Sequence, residues 1–312
     1  MNRCIASLIL LLASCLPAAA EGVTPFAEAL IWHASAETSS IWASDLNLAD
    51  TFGATNVEFG WSPGIRAGID LAPPEWQWDV EVSATHFSTS QESSIPSGFN
   101  LVIPEFFSGF VSGYSTDFFG ADVDWSIKYT SFDFEAGHDI EMGCNWLVRP
   151  QFGLKAAVIN QDVTSHWTGL FSLITATERV RHEFFGIGPT AGVAVRWNPG
   201  GGSLGLVGEV NGAMLYGTWN VTDDFQRTDG GTPGSGYEAF TTSMKDSQLG
   251  TVMLQSFFGM QWKLPCQLDV VAEVGYETQW WANQQRMLTF QQLSMHGDLT
   301  FQGGVCGIAV SY

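Results

Sequence analysis

Trp76-Gln77-Trp78-Asp79-Val80-Glu81-Val82-Ser83-Ala84 sets an apolar residue at every even position and a polar one at every odd position. A period of two belongs to an extended strand, which sends Trp76, Trp78, Val80, Val82 and Ala84 to one face and Gln77, Asp79, Glu81 and Ser83 to the other. An apolar face of this kind packs equally well against a protein core or against lipid. The remainder of the chain decides between them.

Before this stretch, Phe59 to Leu71 alternates Ile65, Ala67, Ile69 and Leu71 with Arg66, Gly68 and Asp70, and Ala72-Pro73-Pro74-Glu75 makes a turn between the two. The pair reads as a hairpin, with Arg66 opposite Glu81. Further strand candidates are Phe26 to His33, Val123 to Ala136, Val148 to Val158, Phe185 to Trp197, Leu204 to Tyr216, Val252 to Leu264, Leu268 to Trp280 and a last stretch reaching Tyr312. In Val123 to Ala136 the apolar phase slips by one, which predicts a bulge near Thr130 and Ser131. Short turns near residues 73, 144, 200 and 265 alternate with long loops around 45, 105, 170, 235 and 290. Such a chain has two unlike ends, as outer-membrane barrels do. The strands exceed the roughly five or six residues usual in soluble proteins and satisfy the roughly 9 to 11 that a tilted spanning strand needs.

Tryptophan placement points the same way. Trp32, Trp61, Trp125, Trp219 and Trp280 fall near the long-loop ends, and Trp76, Trp78, Trp146, Trp197 and Trp262 near the short-turn ends. Two girdles of interfacial aromatics are expected where a membrane meets water on both sides. The fold expected is an all-β, transmembrane, antiparallel up-and-down barrel of about ten strands, between eight and twelve.

Residues 1–20 have a basic start at Arg3, an uncharged middle and the small-residue ending Ala18-Ala19-Ala20, the build of a cleaved signal peptide. Leu12-Ala13-Ser14-Cys15 offers a lipoprotein-type alternative that would retain Cys15. Residues 21–312 then form one barrel domain in the outer membrane of a Gram-negative-type bacterium. The sequence holds 32 acidic and 12 basic residues, a formal net charge of -20, which disfavours nucleic acid as a partner. Past residue 20, Cys144, Cys266 and Cys306 remain, an odd number at no metal-ligand spacing. Cys144 and Cys266 fall in short turns, either as ordinary turn residues or as cross-links to a neighbour.

The chain resembles the family of pore-forming outer-membrane proteins typified by the Legionella major outer membrane protein. The resemblance is carried by Trp78-Asp79 with Thr85-His86-Phe87, by Phe132-Asp133-Phe134-Glu135-Ala136-Gly137 and by Leu147-Val148-Arg149-Pro150-Gln151-Phe152-Gly153-Leu154-Lys155. It continues in Gly186-Ile187-Gly188-Pro189-Thr190-Ala191-Gly192 and Gly275-Tyr276-Glu277-Thr278-Gln279-Trp280. His138, where the pattern has Arg, and the final Tyr312, where Phe is commoner, depart from it. The resemblance implies a porin-like role and no cofactor.

If the polar faces line a lumen, they supply Arg66, Arg149, Lys155, Arg196 and Lys263 against Asp70, Asp79, Glu81, Asp133, Glu135, Glu209, Asp269, Glu273 and Glu277. An acidic excess favours cations, so passive passage of small hydrophilic solutes or ions with a weak cation preference is expected. Two alternatives stand beside it. Ion pairs such as Arg66 with Glu81 and Lys155 with Asp133 could plug a narrow barrel, leaving a structural or adhesive protein with acidic external loops. Inward glycines at 68, 153, 186, 188, 192 and 259 argue instead for open space. A rim hydrolase would use His86, His166, His182 or His296 with Asp162, Glu183 or Asp298, but no nucleophile motif accompanies them, and an enzyme is not expected. Tyr312 serves as the C-terminal signal to the barrel-assembly machinery. Outer-membrane lipid and lipopolysaccharide are the other expected partners, and a homo-oligomer stays open.

Overall fold

The computed structural model describes residues 22–36, 41–46, 52–98, 100–104, 118–143, 145–169, 174–199, 202–229, 239–265, 269–288 and 294–311. The leader with Cys15, and Cys144, Cys266 and Tyr312, lie outside the described residues. Fourteen strands form in chain order: β1 (Val23–Ala36), β2 (Ile41–Leu46), β3 (Phe52–Asn56), β4 (Trp61–Leu71), β5 (Asp79–Ile95), β6 (Leu101–Pro104), β7 (Phe118–Gly137), β8 (Ile140–Met142), β9 (Trp146–Gly169), β10 (Ile174–Trp197), β11 (Leu204–Asp229), β12 (Ala239–Leu264), β13 (Asp269–Leu288) and β14 (Ser294–Ser311).

The hydrogen-bonded order runs β7-β5-β4-β1-β14-β13-β12-β11-β10-β9, and a β7–β9 pairing closes the ring. All pairs are antiparallel, so ten strands make a barrel without a free edge, as burial of every backbone polar group in lipid demands. Chain closure brings β1 against β14 from Phe26–Ala309 to Ala36–Leu299. The hairpin β2–β3 and the short β6 continue the sheet outward past β7, where Trp42 is buried with its ring 5.6 Å from Trp167.

On the outer wall the side chains sort by depth. Outward positions of β9 from Trp146 to Val158 and of β10 from Phe185 to Trp197 are all apolar. Each covers about thirteen residues, or ~40 Å of strand at ~3.3 Å per residue, which a ~45° tilt lays across a ~30 Å hydrocarbon layer. Beyond that band the same strands turn polar outward, with Asn160, Asp162, Thr164 and His166 on β9 and Glu183, Arg181 and Arg179 on β10. Their inward neighbours change the opposite way, to Ile159, Val163 and Trp167 and to Phe184 and Val180. The barrel wall therefore continues past the membrane, where water replaces lipid outside and a packed core replaces the polar lumen inside.

This inversion corrects several sequence expectations. β7 pairs with β5 from Gly137 to Ala121, and with β9 from Gly137 to Gly120, without a shift, so no bulge lies at Thr130–Ser131. Val123, Trp125, Ile127 and Tyr129 point inward, Phe132 and Phe134 point outward, and the apparent slip marks the membrane boundary. The stretches 161–182, 220–248 and 282–297, expected as long loops, are mostly strand, because their apolar residues face a core rather than lipid. Trp32, Trp125 and Trp219 are 0%, 0% and 2% exposed and face inward, so they are not girdle residues. Trp61 and Trp280 remain on the outer side of the wall, and Trp146, Trp197 and Trp262 at the lower rim, where Trp146 and Trp197 stack at 5.7 Å. β5 begins at Asp79, which leaves Trp76 and Trp78 in the turn below it, with Trp78 against Phe152 and His138, each at 5.5 Å.

Outward Phe258, at the middle of the apolar band of β12, is expected to cost ~2–4 kcal/mol of barrel stability when changed to Arg. Outward Ser126 on β7, above the band, should change stability by less than ~0.5 kcal/mol on the same substitution. Denaturant titration of both variants in lipid vesicles checks this, and equal penalties would refute the boundary.

Candidate functional site: a divided lumen

Inside the apolar band the inward positions converge on a polar cavity of about 360 Å³ at the short-turn half. Seven carboxylates line it, from Glu28, Asp70, Glu81, Asp133, Glu135, Glu209 and Glu273, against four cations from Arg66, Arg149, Lys155 and Arg196. Alternation alone aims them: each strand sends every second side chain inward, and the shift between β11 and β12 at Leu215–Tyr216 lies above the lining residues of those strands.

Arg66 on β4 is the best-satisfied group. Its Nη1 donates to Glu28 Oε2 at 2.8 Å, its Nη2 to both oxygens of Glu277 at 2.8 and 2.9 Å, and its Nε to Thr85 Oγ1 at 3.0 Å. Glu277 also accepts from Gln255 Nε2 at 3.0 Å and Gln279 Nε2 at 2.7 Å. The clasp ties β1, β4, β5, β12 and β13 together across the lumen. Glu81, the partner expected for Arg66, instead lies opposite Asp70. Leu71 pairs with Val80, so the hairpin turn is longer than Ala72–Glu75 and moves each partner up the strand, bringing Thr85 to Arg66.

Other groups pair nearer the floor. Lys155 contacts Asp133, its direct cross-strand partner, and Arg149 Nη2 donates to Asp79 Oδ1 at 2.7 Å. Two carboxylates are held by amides from across the lumen, Glu135 by Asn211 Nδ2 at 2.5 Å and Glu209 by Gln151 Nε2 at 2.8 Å. Lys263 and Asp269 do not line the cavity; they pair with each other at 2.7 Å on the exposed lower rim. Among the described residues no group of His, Cys, Asp and Glu has the geometry to hold a metal ion.

Above Arg66 the lumen is filled by rings. Trp32 stacks on Phe301 at 6.0 Å, Phe301 meets Tyr129 at 5.0 Å, Tyr129 meets Trp281 at 5.7 Å, Trp281 meets Phe184 at 6.3 Å and Phe184 meets Trp219 at 4.9 Å. Arg286 covers Trp219 at 3.6 Å from its ring centroid. Each such ring pair adds ~0.5–1.5 kcal/mol beyond area burial. The inward glycines do not leave open space. A Cβ on Gly68, Gly186 or Gly259 would lie 2.6 Å from the ring of Phe26, Phe184 or Phe257, and one on Gly153, Gly188 or Gly192 would strike the backbone of the next strand.

The sequence reading weighed a plug of ion pairs but missed that rings form it, and it missed Glu28 and the amide holders Gln151 and Asn211. Parity was the available signal, since Glu28 and Trp32 share the inward phase of β1, as Glu209, Asn211 and Trp219 share that of β11. The histidines weighed for catalysis disperse. His86 and His166 are exposed, bonded to Thr130 and Thr177 hydroxyls at 3.0 Å. His182 lies inside the wall above the membrane, where burial pushes its imidazole down to about 4. The side chain of His296 lies outside the described residues. Asp162 pairs with Arg179, Glu183 accepts from Asn220 and Asp298 from Trp280.

A family model described as Legionella pneumophila major outer membrane protein precursor matches residues 16–312. No curated protein matches the sequence. Among solved structures, the outer membrane protease OmpT from Escherichia coli is 8% identical, with 96% of this chain and 99% of that one covered and a TM-score of 0.49. The translocator domain of the autotransporter NalP from Neisseria meningitidis is 8% identical over 100% and 95%, with a TM-score of 0.42. A major outer membrane protein from Thermus thermophilus is 9% identical over 93% and 99%, with a TM-score of 0.37. Values this low carry no argument about activity.

Arg66→Ala would leave Glu28 and Glu277 as buried, uncompensated charges, an expected loss of ~3–5 kcal/mol. Adding Glu277→Gln should recover part of it. Urea unfolding followed by tryptophan emission measures both, and a loss below ~1 kcal/mol for Arg66→Ala would contradict the role given to the clasp.

Proposed function

Since the chain belongs to the Legionella major outer membrane protein family and folds as an outer-membrane barrel, we propose that it is a porin-like channel, weakly cation-preferring and closed at rest. The observation that carries the reading is the imbalance of seven carboxylates to four cations around the lumenal cavity. A wall with excess acid lowers the energy of a cation and raises that of an anion. Ions and small hydrophilic solutes enter from the periplasmic half, and passage beyond Arg66 requires the ring stack from Trp32 to Trp219 to part. No catalytic step and no cofactor belong to this function. Its partners are outer-membrane lipid, lipopolysaccharide and the barrel-assembly machinery.

The ring stack itself favours a second reading, a barrel that stays closed and presents its polar outer wall for adhesion.

Planar-bilayer recording on refolded protein separates the two. The channel reading expects infrequent small steps whose reversal potential in a salt gradient has the cation sign. Phe184→Ala should raise the open fraction, since each ~1.4 kcal/mol removed from the closed state shifts the balance about tenfold. An anion preference would contradict the charge argument, and silence in both wild type and Phe184→Ala would leave the closed barrel standing.

A further inference from the structure

Three lumenal carboxylates stand side by side on adjacent strands. Asp70 on β4 is the direct cross-strand partner of Glu81 on β5, and Glu81 is that of Glu135 on β7. All three line the polar cavity, and the row continues into Thr24 on β1 and Gly153 on β9, so no cation stands in it. Like charges directly opposed on neighbouring strands repel. The cations of the lining are engaged elsewhere, Lys155 with Asp133, Arg149 with Asp79, and Arg66 with Glu28 and Glu277. Arg196 lies 4.0 Å from Asp139 on the lower rim.

A second observation points to what the row can hold. Asn211 on β11 lines the same cavity, is 3% exposed and donates Nδ2 to Glu135 Oε1 at 2.5 Å, while its Oδ1 has no donor among the described residues. Glu81 and Glu273, also in the lining, make neither a hydrogen bond nor a salt bridge among the described residues. Acceptors therefore outnumber donors around this space. The gap between Asp70 and Glu81 and the gap between Glu81 and Glu135 lie one strand spacing apart, about 5 Å, which is close to the separation of two ammonium groups on a short alkyl chain. A metal dication fits less well, because no group of His, Cys, Asp and Glu among the described residues has the geometry to hold one.

We infer that the lumenal cavity binds a short linear diamine, with one ammonium between Asp70 and Glu81 and the other among Glu81, Glu135 and Asn211 Oδ1. An ammonium carries three donors and no acceptor, so it satisfies several of these oxygens at once. The cavity, of about 360 Å³, has room for the chain that joins the two. This deepens the channel reading and rests on the acidic lumen which that reading invokes, by naming the class of cation that the lumen takes.

The test is isothermal titration calorimetry on the full-length folded barrel in dodecyl maltoside, with 1,4-diaminobutane, butylamine or magnesium chloride as titrant. The diamine should bind about tenfold more tightly than butylamine, the worth of one charge-assisted contact, and magnesium should not displace it. Glu81→Gln, which removes the charge shared by both gaps, should weaken the diamine about tenfold. Asp269→Asn, on the lower rim, should leave it unchanged, and heat-modifiable migration on gels verifies that each variant is folded. Equal affinity for the two amines, displacement by magnesium, or a Glu81→Gln variant that binds like the wild type would overturn the site. So would absence of binding by either amine, the result expected where protons alone relieve the row. Calorimetry does not depend on conductance. A barrel silent in bilayers that binds the diamine keeps the site and loses the channel, and a cation-preferring channel that does not bind it loses the site and keeps the channel.

Discussion

A guanidinium held inside a membrane barrel has to be surrounded by acceptors, because its charge is never given up and its desolvation is costly. Arg66 meets that demand with Glu28, Glu277 and Thr85, and Glu277 in turn with Gln255 and Gln279. These residues come from strands far apart in the chain, so satisfying one side chain fixes the mutual height of five strands. The clasp also divides the lumen. The cavity with its seven carboxylates lies on its short-turn side, and the rings from Trp32 to Trp219 close over the other, with the Trp32 ring centroid 5.9 Å from the Arg66 guanidinium.

The second constraint is that strand parity does not change when the solvent does. Glu135, Asp133, Tyr129 and Trp125 all face inward on β7, although the first two suit a wet lumen and the last two a dry core. Read as a sequence, Val123 to Tyr129 and Phe132 to Ala136 look like two apolar faces joined by a slip. In space they are opposite faces of one straight strand that leaves the membrane between them. Phase in the hydropathy pattern therefore reports the medium outside the wall as much as the geometry of the backbone.

The spanning half was legible for that reason. Alternation in Trp146 to Val158, Phe185 to Trp197 and Leu204 to Tyr216 has lipid as its single cause, and the ten-strand barrel follows from it. The half above the membrane was not. Residues such as Ile159 with Gln161, or Phe184 with His182, mix apolar and polar on one inward face, so the period of two is blurred and reads as loop. Arg66 shows the limit at the candidate site. Its inward direction follows from parity, but its partner depends on how many residues the turn after Leu71 consumes, and composition does not count them.

Because the wall rises intact beyond the apolar band, its hairpins are carried well clear of the bilayer. From Asn160 to Gly169, β9 adds ~30 Å of strand, or ~20 Å of height at a barrel tilt near 45°. A soluble macromolecule approaching the cell would meet the crest of this turret before any headgroup. Changes at the crest are then mechanically remote from Arg66, and the surface can diversify while the clasp below keeps the barrel in register.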